Sequence, residues 1–200
     1  MDELHELCSR LLGGGEPAGE AAAVARQAAP AGGRIELLSA AVRACRDRAA
    51  EAHAPEPVAR SGDPQTLART AAAELAAATA QLPSRQREAL ALRELLRLSH
   101  EQIAEVLEIE PAATAPLLAR ARLGLRAKLR GAAHEPAPDC AERERALRCL
   151  VHRQDSEPLS SDDDDWLIEH LGACGECDRA HSAMLEASVC YRATRQRRPR

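Results

Sequence analysis

The chain has 200 residues, 27 basic and 31 acidic side chains, and a formal net charge of -4. That balance excludes a general polyanion binder and turns attention to local runs of charge. Stretches rich in Ala, Leu, Glu and Arg at helical spacing, with no block of Val, Ile and Thr to compete, predict an all-α protein. No apolar run approaches the roughly 20 residues that span a bilayer, and "MDELHELCSR" lacks the basic leader and apolar core of an export signal, so a cytoplasmic protein with no membrane contact is expected. Seven cysteines in that setting predict metal or redox chemistry before structural disulfides.

Residues 1–53 read as two or three helices, "DELHELCSRLL", "GEAAAVARQAA" and "RIELLSAAVRACRDRAAEA", separated by Gly13–Gly15 and by Pro30–Gly33. Residues 54–66, with "APEPVARSGDP", read as a Pro- and Gly-punctuated linker. Residues 67–131 begin with an Ala-rich helix that runs to about Leu82. Pro83 and Ser84 then open "RQREALALRELLRL", in which Leu90, Leu92, Leu95 and Leu96 supply an apolar face. Ser99 is placed to cap the next helix, Gln102 completes a capping box, and Ile103, Ala104 and Leu107 form its buried stripe. "EIEP" supplies a turn, with Ile109 inward and Pro111 at the first position of the following helix. Two short helices joined in this way form the geometry that docks a reading helix in a major groove.

In that third helix Thr114, Leu118, Ala121 and Leu125 face the core at helical spacing, which sets Leu117 and Leu123 outward. An outward apolar stripe points to a protein contact more than to DNA. Pro116, so soon after Pro111, predicts a kink. Arg120, Arg122, Arg126, Lys128 and Arg130 follow with no intervening acid, and are candidates to hold DNA phosphates, which gives affinity and salt dependence but little sequence preference.

Residues 132–139 form a second linker, residues 140–190 carry five of the seven cysteines, and residues 191–200 are a basic tail. "WLIEHLGACGEC" sets His170, Cys174 and Cys177 in the spacing His-x3-Cys-x2-Cys, where the first two share a helix face and the third closes from the next turn. A structural Zn2+ site wants a fourth ligand. Cys140 is the upstream candidate, and Cys149, His152 and His181 are alternatives. Asp162–Asp165 follow Ser161 and open a helix, where acids suit the positive end of the dipole, rather than forming a calcium site. Cys8, Cys45 and Cys190 are read as spectators. No nucleophile–base pair is evident, and Gly13–Gly15 lack the Gly-Lys-Ser/Thr of a phosphate loop, so no enzyme is expected.

The stretch from Leu82 to Leu129, "LPSRQREALALRELLRLSHEQIAEVLEIEPAATAPLLARARLGLRAKL", resembles region 4 of the extracytoplasmic-function sigma factors of the sigma-70 family. The resemblance extends, in degenerate form, to residues 1–53 as a shortened region 2, with Arg43, Cys45, Asp47 and Arg48 on the end of its second helix. The sequence from Cys140 to Cys177 is similar to the zinc-binding anti-sigma fold, which implies Cys140, His170, Cys174 and Cys177 as the ligand set. Two departures bear on function. Trp166 is the first aromatic in the chain, so residues 1–53 offer unpaired bases no stacking platform, each worth about 1–3 kcal/mol. Ala115, Pro116 and Leu117 stand where the family carries polar or basic base-contacting residues, and Ala and Pro offer no donor to a base edge.

The resemblance implies a regulator of transcription initiation that acts through the RNA polymerase core, promoter DNA or both, with the zinc module as a built-in regulator covering the reading helix in cis. The departures support a second reading, a degenerate sigma that sequesters a sigma or anti-sigma factor. Oxidation of Cys174 or Cys177 with loss of zinc would add a thiol response to either.

Overall fold

The structure, a computed structural model, describes residues 3–49, 64–132 and 137–193. Among these residues every regular element is helical, in agreement with the all-α expectation. No helix among the described residues is long and apolar enough to cross a membrane.

The first three helices are α1 (Glu3–Leu12), α2 (Glu16–Ala28) and α3 (Arg34–Ala49). In α1 the buried residues Leu4, Leu7, Cys8 and Leu11 recur at helical spacing and form one stripe. α2 buries only Ala18, Ala21, Ala22 and Ala25. Side chains this small let neighbouring helices approach closely, so a three-helix unit forms with no aromatic residue to fill it. Gly13, Gly14 and Gly15 all have positive φ, which lets the chain reverse between α1 and α2 at no Cβ cost.

α4 spans Pro64–Ala80, starting inside the stretch read as linker; the rest of that stretch, to residue 63, lies outside the described residues. The helix-turn-helix follows as α5 (Ser84–Leu90), a π-helical turn (Ala91–Leu95), α6 (His100–Leu107), a 3-10 turn (Pro111–Ala113) and α7 (Thr114–Leu129). The Ser99 hydroxyl accepts from the Gln102 N–H and the Gln102 side chain accepts from the Ser99 N–H, closing the capping box expected from the sequence. Pro116 produces no break. α7 begins at Thr114, so Pro116 falls in the first turn, where backbone N–H groups have no intrahelical carbonyl to lose.

The outward stripe is the larger correction. Thr114, Leu118, Ala121 and Leu125 are buried as expected, but Leu123 is also buried, at 7% exposure, and Leu117 packs partly buried on the core. α7 is surrounded by α4, α5, α8 and α10. Gly124 makes one of these contacts possible, because a Cβ there would meet the Leu82 side chain at 3.0 Å. Burying a leucine side chain is worth about 1.5–3 kcal/mol, so Leu123 finds its stabilisation within the chain and needs no partner protein to cover it.

α8 (Arg143–Asp155), α9 (Ser161–Ala173) and α10 (Gly175–Ala193) complete the molecule. Ser160 caps α9 by accepting from the Asp163 N–H. Asp162–Asp164 therefore sit in the first turn of α9, as the helix-start reading required. α10 runs past the boundary set at residue 190. Tyr191 is fully buried, so the helix and not the tail claims residues 191–193, while the remainder of the tail lies outside the described residues. One hydrophobic core runs from Leu4 on α1 to Tyr191 on α10, joining the three sequence segments.

Candidate metal centre and nucleic-acid interface

Cys140 sits in the turn before α8, His170 in the last turn of α9, Cys174 at the α9–α10 junction and Cys177 in the first turn of α10. Their ligand atoms all lie within 4.8 Å of one another, and Cys140 Sγ is 3.5 Å from His170 Nε2. Tetrahedral zinc with bonds of about 2.0–2.3 Å needs ligand–ligand edges of roughly 3.4–3.8 Å, so small side-chain adjustments close this set around one ion. The donor chemistry fits as well, since three thiols and an imidazole form a common structural zinc set. The cluster is geometrically able to bind a metal.

The thiols of the cluster differ in how tightly they hold a proton. Burial first, and then the sulfurs of Cys174 and Cys140, push the Cys177 thiol up to about 12, whereas the backbone N–H of Cys177 leads the contacts that lower Cys174. Trp166 stacks on His170 with ring centroids 4.7 Å apart, and the Arg145 guanidinium lies 4.1 Å over the other ring of that pair, Trp166. The alternative fourth ligands lie elsewhere. Cys149 is buried in α8, His152 Nδ1 is bonded to the Pro158 carbonyl, and neither they nor His181 belong to the cluster.

The basic face of α7 is met by acids. Arg122 is fully buried, and its guanidinium donates to Glu94 Oε1 at 2.8 Å and to Asp155 Oδ1 at 2.6 Å. Around this pair the contacts multiply. Glu94 also accepts from Ser188 at 2.8 Å and from Arg192 at 3.1 Å, both on α10. Asp155 holds His100 Nε2 at 2.9 Å and lies 3.2 Å from Arg93 Nε, while the Arg93 guanidinium also donates to the Asp155 carbonyl. Glu157 receives Arg93 at 3.1 Å and the His100 N–H at 3.2 Å.

Burial alone opposes the charge on Asp155, but the His100 contact and the Arg122 and Arg93 guanidiniums overcome it and hold the carboxyl at about 2. Arg122 is likewise raised despite its burial, because Asp155 and Glu94 face it. At the rim, Glu186 on α10 receives Arg130 at 2.9 Å and Arg126 at 3.3 Å. Arg130 leads the contacts that hold Glu186 below the usual carboxylate range.

Of the residues read as phosphate contacts, Arg122 is therefore interior, Arg126 is paired with the C-terminal helices, Lys128 is half-buried and Arg120 is exposed. Ala115, at the start of the helix, is buried too. Reading the arginines as a run that holds phosphates missed Glu94, Asp155 and Glu186 as their partners. Two signals were present. Arg93 and Glu94 interrupt a run of leucines, and Asp155 ends α8 at the negative pole of its dipole, a costly place for an acid without a cationic partner.

Local backbone explains how these groups converge. The π turn is wider than an α turn, and it buries the consecutive residues Arg93 and Glu94 on the same side as the C-terminal helices. Ser156 ends α8 in a left-handed conformation at φ 57°, which costs about 1 kcal/mol for a residue with a Cβ. That reversal brings Glu157 back onto Arg93 and His100.

The capped turn and the enclosed α7 define an all-helical protein built on a helix-turn-helix, with a Cys3His cluster on the helices that enclose it. Residues 72–125 match the family model described as sigma-70, region 4, from the third turn of α4 to Leu125 of α7. Comparison with curated proteins and with solved structures gives no match.

Proposed function

We propose that this chain is a sigma-factor-like regulator of transcription initiation, without catalytic activity of its own, whose C-terminal helices hold region 4 closed in cis. The observation that carries the reading is the pairing of α7, with Arg122 on Asp155 and Arg126 and Arg130 on Glu186. Each acid takes the position a phosphate would take against a guanidinium, so the C-terminal carboxylates and DNA compete for the same donors. In the open form the partners are the RNA polymerase core and promoter DNA. Zn2+ held by Cys140, His170, Cys174 and Cys177 would supply a structural cross-link among α8, α9 and α10. Those residues then fix the approach to α8 and the start of α10, the helices that carry Asp155 and Glu186.

One observation favours a second reading. The buried Ala115 and the donor-free Pro116 and Leu117 leave the start of α7 with no group for a base edge, as expected of a chain that works by binding a sigma or anti-sigma factor. The two readings separate in one assay on the full chain. Labelled duplex DNA and polymerase core are titrated with wild type and with Glu186→Ala, which removes the carboxylate that Arg126 and Arg130 share. About tenfold tighter binding by the variant, with a steeper salt dependence, supports cis closure. Unchanged binding to both overturns it, and promoter-specific initiation with purified polymerase excludes the second reading.

A further inference from the structure

The three-helix unit and the helix-turn-helix meet at an ionic wall. Arg46 on α3 donates from Nε and Nη2 to the two oxygens of Glu88 on α5, at 2.7 and 2.6 Å, and the Glu88 side chain is only 4% exposed. A cavity of about 320 Å3 opens beside this pair. Leu11 of α1 with Cys45 and Ala49 of α3 form its apolar side, and Ser84 and Arg87 of α5 complete the polar side. Small-molecule sites have volumes of about 300–1,000 Å3, combine apolar walls with a few convergent polar groups, and favour the junction between two structural units. This cavity meets all three conditions.

The charges on its wall do not cancel, because two guanidiniums face one carboxylate. Glu88 answers Arg46. Arg87 donates from Nη1 to the Ala80 carbonyl at 2.9 Å and meets no acid among the described residues. Arg46 Nη1 likewise has no acceptor among them, since Nε and Nη2 make the contact with Glu88. A guanidinium offers its N–H groups in a planar fork that matches a carboxylate. The polar side therefore keeps a net positive charge and unfilled donors opposite an apolar surface.

We propose that this cavity binds a small organic carboxylate with an apolar body. The carboxylate takes the free N–H groups of Arg87 and Arg46, with the Ser84 hydroxyl at the exposed edge, and the body lies against Leu11, Cys45 and Ala49. A single negative charge balances the wall. A phosphate monoester, with close to two charges, would leave an excess beside the buried Glu88. At about 30 Å3 for each water-sized group, the space admits a ligand of roughly ten non-hydrogen atoms. Such a ligand touches α1 and α3 on one side and α5 on the other, so it ties the three-helix unit to the first helix of the helix-turn-helix. None of these residues pairs α7 with the C-terminal helices, so the site stands whether or not region 4 is held closed.

The test titrates the full, zinc-loaded, 15N-labelled chain with octanoate, and in separate arms with octan-1-ol and inorganic phosphate. Octanoate is expected to move the backbone amides of Cys45, Ala49, Ser84 and Arg87 saturably, and the other two probes to leave them in place. Arg87→Gln should weaken octanoate at least tenfold, and Ala49→Leu, which adds bulk to the apolar side, should weaken it as well. Unmoved amides at these positions overturn the proposal, and so do shifts confined to the Cys140, Cys174 and Cys177 cluster. Equal binding of octan-1-ol or of phosphate overturns the ligand class, as does an unchanged affinity in Arg87→Gln. If either variant folds poorly, the three probes on wild type decide the matter.

Discussion

Two ionic contacts fasten α7 to the C-terminal helices, and they differ in almost everything except sign. Arg122 meets Glu94 and Asp155 with side-chain exposures of 0%, 0% and 4%, inside a set of hydrogen bonds that includes His100, Ser188 and Arg192. Arg126 and Arg130 meet Glu186, whose side chain is 42% exposed, at the molecular rim. Water and salt compensate most of what is lost when the rim pair opens, whereas nothing compensates the interior charges. The interior contact therefore fixes where the C-terminal helices sit, and the rim contact is the one that competing phosphates can displace. Replacing a whole buried ion set by apolar residues is often neutral or stabilising, so its value here is the register it imposes on α7 against α8 and α10.

The largest expected effect acts on both contacts at once. Removing the metal by chelation near pH 7 should release the Cys140 and Cys174–Cys177 ends of α8 and α10, with on the order of 10 kcal/mol of metal-binding free energy at stake. Trp166 reports it directly, since its stack on His170 at 4.7 Å is lost. A Trp166 emission spectrum and helix content unchanged by chelation would argue against a metal-held module. Next comes Asp155→Ala, which leaves Arg122, Arg93 and His100 facing one another without a shared acid. A loss of about 3–5 kcal/mol in denaturant unfolding is expected.

Acid should open the interior contact by the same logic. Asp155 lies at about 2 in the folded protein against 3.8 in the unfolded chain, so its contribution is fully present above pH 4 and is lost as pH falls toward 2. Wild type should lose about 2 kcal/mol across that window relative to Asp155→Asn, measured as unfolding free energy against pH. The smallest effect belongs to the rim. Glu186→Ala should change stability by about 0–1 kcal/mol, and less in high salt. A cost as large as that of Asp155→Ala would erase the distinction between the two contacts.

Much of the candidate metal site was legible from spacing. His170, Cys174 and Cys177 are close in sequence, and helical geometry gathers them without reference to any other element. Cys140 was singled out by the resemblance and not by spacing, with Cys149, His152 and His181 as alternatives, because a loop-borne ligand has no periodicity to fix it. The ionic interior was not legible in the same way. Arg122 reads as part of a basic run, and the same string would describe a solvated or DNA-facing surface. The acids that claim it come from the π turn after α5 and from the far end of α8.

The sequence by itself determined that the protein is helical, that Ser99 and Gln102 open α6, and that the stretch around the helix-turn-helix is similar to sigma-70 region 4. These features depend on short-range periodicity and capping, which neighbouring residues settle among themselves. Only the tertiary structure decided that Leu123 is covered, that Pro116 falls in a first turn, and that Arg122 lies inside and Arg120 outside. Helical spacing shows which residues share a face of α7, but not what lies against that face. The packing of α8 and α10 settles it, by placing Asp155 and Glu186 where solvent or nucleic acid would otherwise be.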